Sequence, residues 1–346
     1  MVTTHERPGV YSVYEASAAV SAAARKGVAA IAARSGGGAP GELYDLGSVT
    51  QAAEAFGKED RLTALVQLLM VNGASRVLAV PLESADGYAA AFALLNSQEG
   101  VKVVLCDSED LTLQQALRDS VEEAAENRRE RIAVVCGRSG ETVAQLVERA
   151  GNLNSQRVVL AAPPSTAQEN AGAQVAAAVA GAICADSDPA LPLGGAILRG
   201  LPGLAAQYGE SDVDTLIQGG VTPLESTGGR VSVIRGVTTR TTTGGVADTT
   251  WRELTTVLIV DDVIPGIRDA LAAKFTRAKN TRQVRGAIRS QVILELERKK
   301  AAEIITDYGE VTAEPSADNP TVCLVTFAFN LAHGLNQIWL QAQITV

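Results

Sequence analysis

The chain is poor in aromatic residues and in histidine, and both shortages restrict what it can do. Phe, Trp and Tyr make up 4% of the 346 residues, so the core must be packed with Ala, Val, Leu and Ile. The two histidines, His5 and His333, stand near opposite ends of the sequence. This argues against a histidine-rich metal site and against a Ser-His-Asp centre. We therefore expect no metal site.

Cysteine is scarce as well. The residues Cys106, Cys136, Cys184 and Cys323 form no C-x-x-C pair, and three of them lie in apolar runs. Such cysteines are typical of buried, reduced thiols in a cytosolic protein. No basic stretch followed by an apolar leader opens the sequence, and its longest weakly polar run, around residues 171–185, is too short to cross a bilayer. These features predict a soluble protein without membrane insertion.

Positive charge is also in short supply. Acidic residues outnumber basic ones by 39 to 30, which gives a net charge of -9 at pH 7. Because nucleic-acid binding needs a cationic surface that neutralises phosphates, no nucleic-acid partner is expected. Hydrophobic residues make up 46% of the chain and charged residues 20%, so it can bury a substantial core. At this length the chain should form about two domains.

Strands and helices alternate between residues 76 and 184. The segments 76–82, 101–107, 131–137 and 157–164 are nearly continuous apolar runs, each followed by a helical pattern. Parallel strands are nearly continuous apolar runs when helices cover both faces of their sheet. This part of the chain therefore predicts an α/β sandwich.

The remainder of the chain has a different character. Residues 186–250 are rich in loops, and residues 251–266 fit a strand or a buried helix equally well. Residues 267–302 predict two helices with a break near Asn280. The chain closes with β-prone segments, of which 336–346 alternates strictly between apolar and polar positions. This pattern predicts an α+β region after the α/β sandwich.

No phosphate-binding motif of established type follows any of the predicted strands. The nearest candidate is the loop at 137–142, CGRSGET from Cys136, whose backbone amides could bind an anion. The alternative is structural, with Ser139 capping the next helix. The pairs Asp261-Asp262 and Asp186/Asp188 could bind a divalent ion or serve as acid and base, but a surface or turn role explains them equally simply.

Charge and chain ends carry the clearest functional signals. Between Arg268 and Lys300 lie ten basic and three acidic residues. They form either a solvated helix face or a docking surface for an acidic partner. The β-prone segments at the two termini either pair within their own domain or add a strand to the sheet of a neighbour. Because an unpaired strand edge promotes aggregation, some partner must cover it.

Several of these segments occur in an order that resembles a known family. They are RPGVYS, NGASRVLAVPL, GGVTPLESTGGRVSVIRGVTTR, WRELTTVLIVDDVIPGI and TRQVRGAIRSQVILELERKKA. In this order they resemble the contractile tail sheath proteins of phages, R-type bacteriocins and injection systems. The resemblance implies an N-terminal arm at 1–20, an outer α/β domain at 21–215, an inner α+β domain at 216–332 and a C-terminal arm strand at 333–346.

The same resemblance implies a structural function, without enzymatic activity or a cofactor, and it implies partners. Subunits would stack as hexameric rings around an inner tube and contract without nucleotide, together with tube, baseplate and tail terminator proteins. The protein would be made in the bacterial host cytoplasm and assembled in a virion tail or phage-tail-like particle. The inter-subunit arms would comprise Pro8, Gly9, Val10, Tyr11, Val13, Tyr14, Ile338, Trp339, Leu340, Ala342, Ile344 and Val346. The candidate tube-facing residues are Lys274, Arg277, Lys279, Arg282, Arg285 and Arg289.

Two other functions stay open at this stage. One is an α/β enzyme that binds a phosphorylated ligand at the 137–142 loop. The other is a scaffold that forms closed rings without contracting.

Overall fold

The computed structural model describes residues 27–166 and 171–336 of the chain. Its strands are β1 (Val28–Arg34), β2 (Tyr44–Leu46), β3 (Arg76–Leu82), β4 (Val101–Cys106), β5 (Ile132–Cys136), β6 (Val158–Ala162), β7 (Ile197–Leu198), β8 (Val221–Thr227), β9 (Arg230–Val233), β10 (Thr242–Thr243), β11 (Val246–Ala247), β12 (Ile305–Tyr308), β13 (Thr312–Pro315), β14 (Cys323–Thr326) and β15 (Phe329–Leu331). Its α-helices are α1 (Val49–Phe56), α2 (Arg61–Val71), α3 (Tyr88–Asn96), α4 (Leu111–Glu126), α5 (Val143–Leu153), α6 (Gly172–Ala185), α7 (Glu210–Gln218), α8 (Leu254–Phe275) and α9 (Arg282–Ala301). A short 3-10 turn at Ala85–Gly87 leads into α3.

One large mixed sheet organises the first two thirds of the described chain. Its nine strands lie in the order β2-β3-β1-β4-β5-β6-β8-β9-β7. The six strands from β3 to β8 run parallel, whereas β2 at one end and β9 with β7 at the other are antiparallel to their neighbours. Every residue of β5 and β6 is buried, as expected for strands covered on both faces. The predicted combination of α/β and α+β structure is confirmed.

Helices cover both faces of this sheet, and the strand residues alternate between the two cores. Ile31 packs with residues of α1, α2 and α6, whereas Ala30 and Ala32 pack with residues of α3, α4, α5 and α7. Small residues let α6 approach α2 closely. A Cβ atom added at Gly181 would lie 2.5 Å from the carbonyl oxygen of Leu69, so any larger residue there would push the two helices apart.

A third core lies between α8, α9 and a β-hairpin at the end of the described chain. Strands β12 and β13 pair with β15 and β14, so residues 305–315 and 323–331 form one long antiparallel hairpin with an irregularity in its middle. Ile259, Val263 and Ile267 of α8 pack in this core, whereas Leu254 and Val257 at the start of α8 pack in a core of the large sheet. Most of the segment 251–266, for which the sequence left strand and helix open, belongs to helix α8. This helix joins two cores.

The division at 215/216 that the resemblance implies stays a prediction. Strands β8 and β9 lie beyond that position, and β8 pairs in parallel with β6 of the large sheet. The α8–α9 helices and the β-hairpin that follow have a core of their own.

Candidate functional site

The turn between α8 and α9 presents the basic segment identified in the sequence. Thr281 is the N-cap of α9, and its side chain accepts a hydrogen bond from the backbone N–H of Val284 at 3.3 Å. Asn280 in the turn donates to the carbonyl oxygens of Pro320 and Val322, at 2.7 and 3.2 Å. The cationic turn is therefore fastened to the loop at the tip of the β-hairpin, as the predicted helix break near Asn280 allows.

The six candidate tube-facing residues keep their charge available for a partner. Within residues 27–166 and 171–336, none of the six forms an ion pair with an acidic group. Arg277, Lys279 and Arg282 are exposed. Because these cations have no ion pair to break within the described chain, the turn can pair directly with acidic groups of another protein.

Three of the six cations also stabilise the local structure. Lys274 donates to the side-chain oxygen of Gln291 at 2.6 Å, and Arg285 donates to Asn280 Oδ1 at 3.1 Å. Arg289 Nε donates to the carbonyl oxygen of Val311 in the β-hairpin at 2.7 Å. These three side chains hold the turn, helix and hairpin together, and the structure thereby divides the predicted set into two groups.

The remaining cations of the basic segment are neutralised within the molecule. Arg268 pairs with Glu130, Arg298 with Glu295, Lys299 with Asp262, and Lys300 with Asp307. Within the basic segment, the cations without an ion pair to a described residue thus lie at the end of the α8–α9 pair where the turn connects the two helices.

Two ion pairs fix α8 to the α/β region. Arg157 donates to both carboxylate oxygens of Asp261, at 2.8 and 2.9 Å, and Arg268 donates to Glu130 at 2.7 Å. Burial raises the pKa of Asp261, and the hydrogen bonds from Arg157 offset part of this rise. Burial also acts to raise the pKa of Glu130, but the contact with Arg268 and the local backbone outweigh it, so that this pKa is lowered.

The β-hairpin offers strand edges to a partner. Among the described residues, each of β12, β13, β14 and β15 pairs with a single strand, so both long edges of the hairpin lack a neighbouring strand. Its inner face packs, through Val325, Phe327 and Phe329, against the core that the hairpin shares with α8 and α9. Two-stranded sheets have little stability alone, which favours the addition of further strands at these edges.

The predicted arm residues lie outside the described residues. This applies to Pro8, Gly9, Val10, Tyr11, Val13 and Tyr14 near the start and to Ile338, Trp339, Leu340, Ala342, Ile344 and Val346 at the end. Their assignment as inter-subunit arms stays a prediction.

The 137–142 loop is filled by its own side chains. The Glu141 carboxylate accepts the backbone N–H of Arg138 at 2.9 Å and pairs with Arg149. Thr142, three residues beyond Ser139, is the N-cap of α5 and forms a capping box with Gln145. The expectation that Ser139 caps the helix is wrong, because the loop continues through Glu141 before the helix begins. A carboxylate at this turn opposes the binding of a phosphate.

The two aspartate pairs serve structural contacts. Asp261 and Asp262 separate toward Arg157 and Lys299. The Asp188 carboxylate accepts the backbone N–H of Ala190 at 2.9 Å, and the carbonyl oxygen of Asp186 accepts a hydrogen bond from Lys102 Nζ at 2.9 Å. In residues 27–166 and 171–336, no group of three or more His, Cys, Asp or Glu side chains is arranged to hold a metal ion. Over the same residues, no helix combines the length and apolar character needed to cross a bilayer.

Comparisons with known proteins agree along most of the chain. The family model of the phage tail sheath protein central domain matches residues 83–239, and that of the phage tail sheath C-terminal domain matches residues 246–345. A curated relative, the tail sheath protein of Bacillus phage SP01, is 29% identical over 220 residues. This alignment covers 61% of the present chain and 38% of the relative, so it spans well under half of the relative's length.

Solved sheath structures share the fold over nearly the whole chain. The helical sheath of the anti-feeding prophage in its contracted state has a TM-score of 0.74 at 16% identity, covering 98% of this chain and 99% of that one. The contracted PVC sheath of an extracellular contractile injection system has a TM-score of 0.71 at 15% identity, covering 100% and 99%. The two family models together cover more than half of the sequence. The chain therefore belongs to the contractile tail sheath family, whose members are structural proteins rather than enzymes.

Proposed function

We propose that this chain is the sheath subunit of a contractile tail, and that it polymerises as stacked hexameric rings around an inner tube. The observation that carries the proposal is the β-hairpin beside α9, whose edges lack a neighbouring strand among the described residues. Extended arms from neighbouring subunits can add strands at such edges, and backbone hydrogen bonds then supply affinity. Each subunit would accept arms and donate its own, which links neighbours into a continuous mesh.

The unpaired cations of the α8–α9 turn support a second contact, with the tube. The turn lies beside the tip of the hairpin through the hydrogen bonds of Asn280, so strand addition and charge pairing would occur in the same region of the subunit. An acidic tube surface would pair with Arg277, Lys279 and Arg282, which are exposed. We propose that baseplate and terminator proteins bound the sheath at its two ends, in a virion tail or a phage-tail-like particle.

Contraction in this proposal uses no nucleotide. The sheath assembles in an extended lattice that is kinetically trapped, and it relaxes to a shorter and better-packed lattice when released. The Arg157–Asp261 and Arg268–Glu130 pairs favour movement of α8 with the α/β region as one body. The arms then act as the connections between subunits. Each subunit needs to gain only a few kcal/mol, because every ring and every repeat adds to the total.

Deletion of residues 336–346 tests the arm assignment. We expect the shortened protein to fold as a monomer and to form no tubes under negative-stain electron microscopy, because it lacks the strand that a neighbour's hairpin would accept. Normal tubes from the shortened protein would refute the assignment.

A matched pair of full-length variants tests whether the apolar side of the C-terminal arm, and not only the presence of the arm, is needed for assembly. The sequence places Leu340 and Ile344 on the apolar side of the alternating segment and Gln341 and Gln343 on the other. Leu340→Asp with Ile344→Asp should prevent tube formation, whereas Gln341→Ser with Gln343→Ser should leave it intact. Equal behaviour of the two double variants would contradict a one-sided apolar contact.

A further inference from the structure

The order of the parallel strands marks the position at which related architectures bind ligands. Strands β3, β1, β4, β5 and β6 lie in the order of a doubly wound sheet, and the direction of winding reverses between β1 and β4. In open α/β sheets, ligands bind outside the carboxyl ends of the strands at such a reversal. Here the residue that ends β1, Arg34, meets Asp107, the first residue after β4. We call the site formed by Arg34, Arg61, Tyr88 and Asp107 the switch-point crevice.

A buried carboxylate occupies the centre of this crevice. Asp107 has no exposed surface, and its Oδ1 accepts the backbone N–H of Arg34 at 3.3 Å and the hydroxyl of Tyr88. The guanidinium nitrogens Arg34 Nε and Arg61 Nη2 lie 3.6 and 3.3 Å from Asp107 Oδ2. No described residue donates a hydrogen bond to this oxygen. Two cations, one amide and one hydroxyl therefore converge on a single side chain.

The two guanidinium groups do not complete the coordination of this carboxylate, because Arg61 Nη2 donates instead to the backbone carbonyl oxygen of Asp107 at 3.0 Å. Charge-assisted N–H···O bonds usually measure about 2.7–2.9 Å, and every nitrogen around the Asp107 carboxylate oxygens lies farther away than that. The under-coordinated Oδ2 shows the same mismatch. A tetrahedral oxyanion is larger than a carboxylate and presents more acceptor oxygens. Paired arginines with a backbone amide are the groups that bind phosphate in proteins.

At other turns on this edge of the sheet, carboxylates of the chain also accept hydrogen bonds from backbone N–H groups. The Asp60 carboxylate accepts the backbone N–H of Gly36 at 2.8 Å, in the glycine-rich loop after β1. Glu141 accepts the N–H of Arg138 after β5, and Glu109 accepts the N–H of Gly172 at the start of α6. Backbone amides that could hold a ligand's phosphate are thus taken by carboxylates of the chain itself.

We propose that the switch-point crevice is an oxyanion site that the chain fills with its own Asp107 carboxylate. Removal of that carboxylate makes room for inorganic phosphate or a phosphate ester, which then binds Arg34, Arg61 and Tyr88. In the unaltered protein the buried negative charge repels such ligands. The site thereby stays closed to phosphorylated ligands.

Two substitutions at one position test the proposal. Asp107→Ala removes both the charge and the side-chain volume, whereas Asp107→Asn removes the charge and keeps the volume. Thermal unfolding of the full chain is followed during titration with inorganic phosphate, against chloride at matched ionic strength. We expect a saturable rise in the unfolding midpoint for Asp107→Ala, with phosphate affinity at least about tenfold above that of the unaltered protein and of Asp107→Asn.

The second step identifies the ligating groups. Adding Arg61→Ala to Asp107→Ala should abolish the phosphate effect, since one of the two guanidinium groups is lost. The absence of a phosphate-specific shift in folded Asp107→Ala would overturn the proposal, as would equal shifts in all variants. If Asp107→Ala is unfolded in chloride, we expect phosphate to restore folding, and failure to do so would equally overturn it.

Discussion

The adjacent carboxylates of Asp261 and Asp262 form ion pairs with different parts of the molecule. Asp261 points to Arg157 in the α/β region, 104 residues away in sequence, whereas Asp262 pairs with Lys299 of α9. The sequence shows two acidic side chains in a row and suggests ion binding or acid–base chemistry. It does not show their partners, because ion pairs between distant segments are set by how α8 packs. The α8 helix is thereby tied to both of its neighbours.

Removal of Arg157 tests the first of these ties. The side chains of Arg157 and Asp261 are 12% and 13% exposed, so the variant Arg157→Ala leaves a largely buried carboxylate without its partner. We expect the free energy of unfolding to fall by roughly 3 kcal/mol at neutral pH. Chemical denaturation with urea measures this change. The matched control is Arg76→Ala, which breaks a half-exposed pair with Asp45 and should cost at most about 1 kcal/mol.

The same variant has a predicted pH dependence. Burial already raises the pKa of Asp261, and loss of Arg157 should raise it further. An acid whose pKa is higher in the folded state costs stability above that pKa, and this cost disappears when the pH falls below the unfolded value. The deficit of Arg157→Ala should therefore shrink between neutral pH and about pH 4. A deficit that is constant or grows on acidification would contradict the burial of an unpaired Asp261.

Elements of the molecule differ in how clearly the sequence indicates them. Strands β3, β4, β5 and β6 are apolar runs of Val, Leu and Ala flanked by helices, and their positions are predicted within a few residues. The central strand β1 has the sequence VAAIAAR, whose alanines lack the β-branched signal of a strand. Helix α8 is apolar on several sides because it packs in two cores, which removes the periodicity that would distinguish it from a strand.

The sequence also indicates some features of the candidate site and not others. The basic segment and the helix break near Asn280 are visible in the sequence, since charge and turn signals are local. Which cations are engaged within the molecule depends on contacts such as the hydrogen bond of Arg289 to Val311 and the ion pair of Lys300 with Asp307. These contacts join α9 to the β-hairpin, and only the fold reveals them. Of the six candidates, Arg277, Lys279 and Arg282 are exposed and their side chains make no hydrogen bond to a described residue, so the predicted tube contact is tested on these three.

Charge reversal of these three residues tests the turn between α8 and α9 as a tube contact. The triple variant Arg277→Glu, Lys279→Glu and Arg282→Glu should fold normally, because none of the three side chains hydrogen bonds to a described residue. Co-assembly with the tube protein should fall by about tenfold or more, since like charges across an interface repel. Sedimentation of sheath with purified tube measures this loss. Co-assembly of the variant should fall further at low salt, because the repulsion is then screened less.

A control with the same change in net charge makes the result specific. Lys58, Arg128 and Arg230 are exposed in the large-sheet region and form no ion pair with any acidic group of the described chain. Their replacement by Glu should leave binding to the tube nearly unchanged. If both triple variants bind the tube equally, the α8–α9 turn is not the contact.

At the scale of the whole molecule, the described residues form a well-packed unit. Three cores and the ion pairs of α8 hold the described residues together. Ordering an arm costs about 1–2 kcal/mol per residue in backbone entropy. Strand pairing and the burial of apolar surface, at about 25 cal/mol per Å², must offset this cost. In the arm exchange that we propose, assembly is therefore favourable only where a neighbour offers a strand edge, such as the edges of the β-hairpin, which are unpaired among the described residues.

Cryo-electron microscopy of the full-length chain co-expressed with its tube protein, in buffer free of nucleotide, tests the central claim most directly. The account predicts tubes built of six-fold rings around an inner tube, present in an extended and in a shorter, wider form. In both forms density from adjacent subunits should extend the β-hairpin at 305–331 by added strands. Closed single rings, or tubes in which that hairpin receives no strand from a neighbour, would contradict the account.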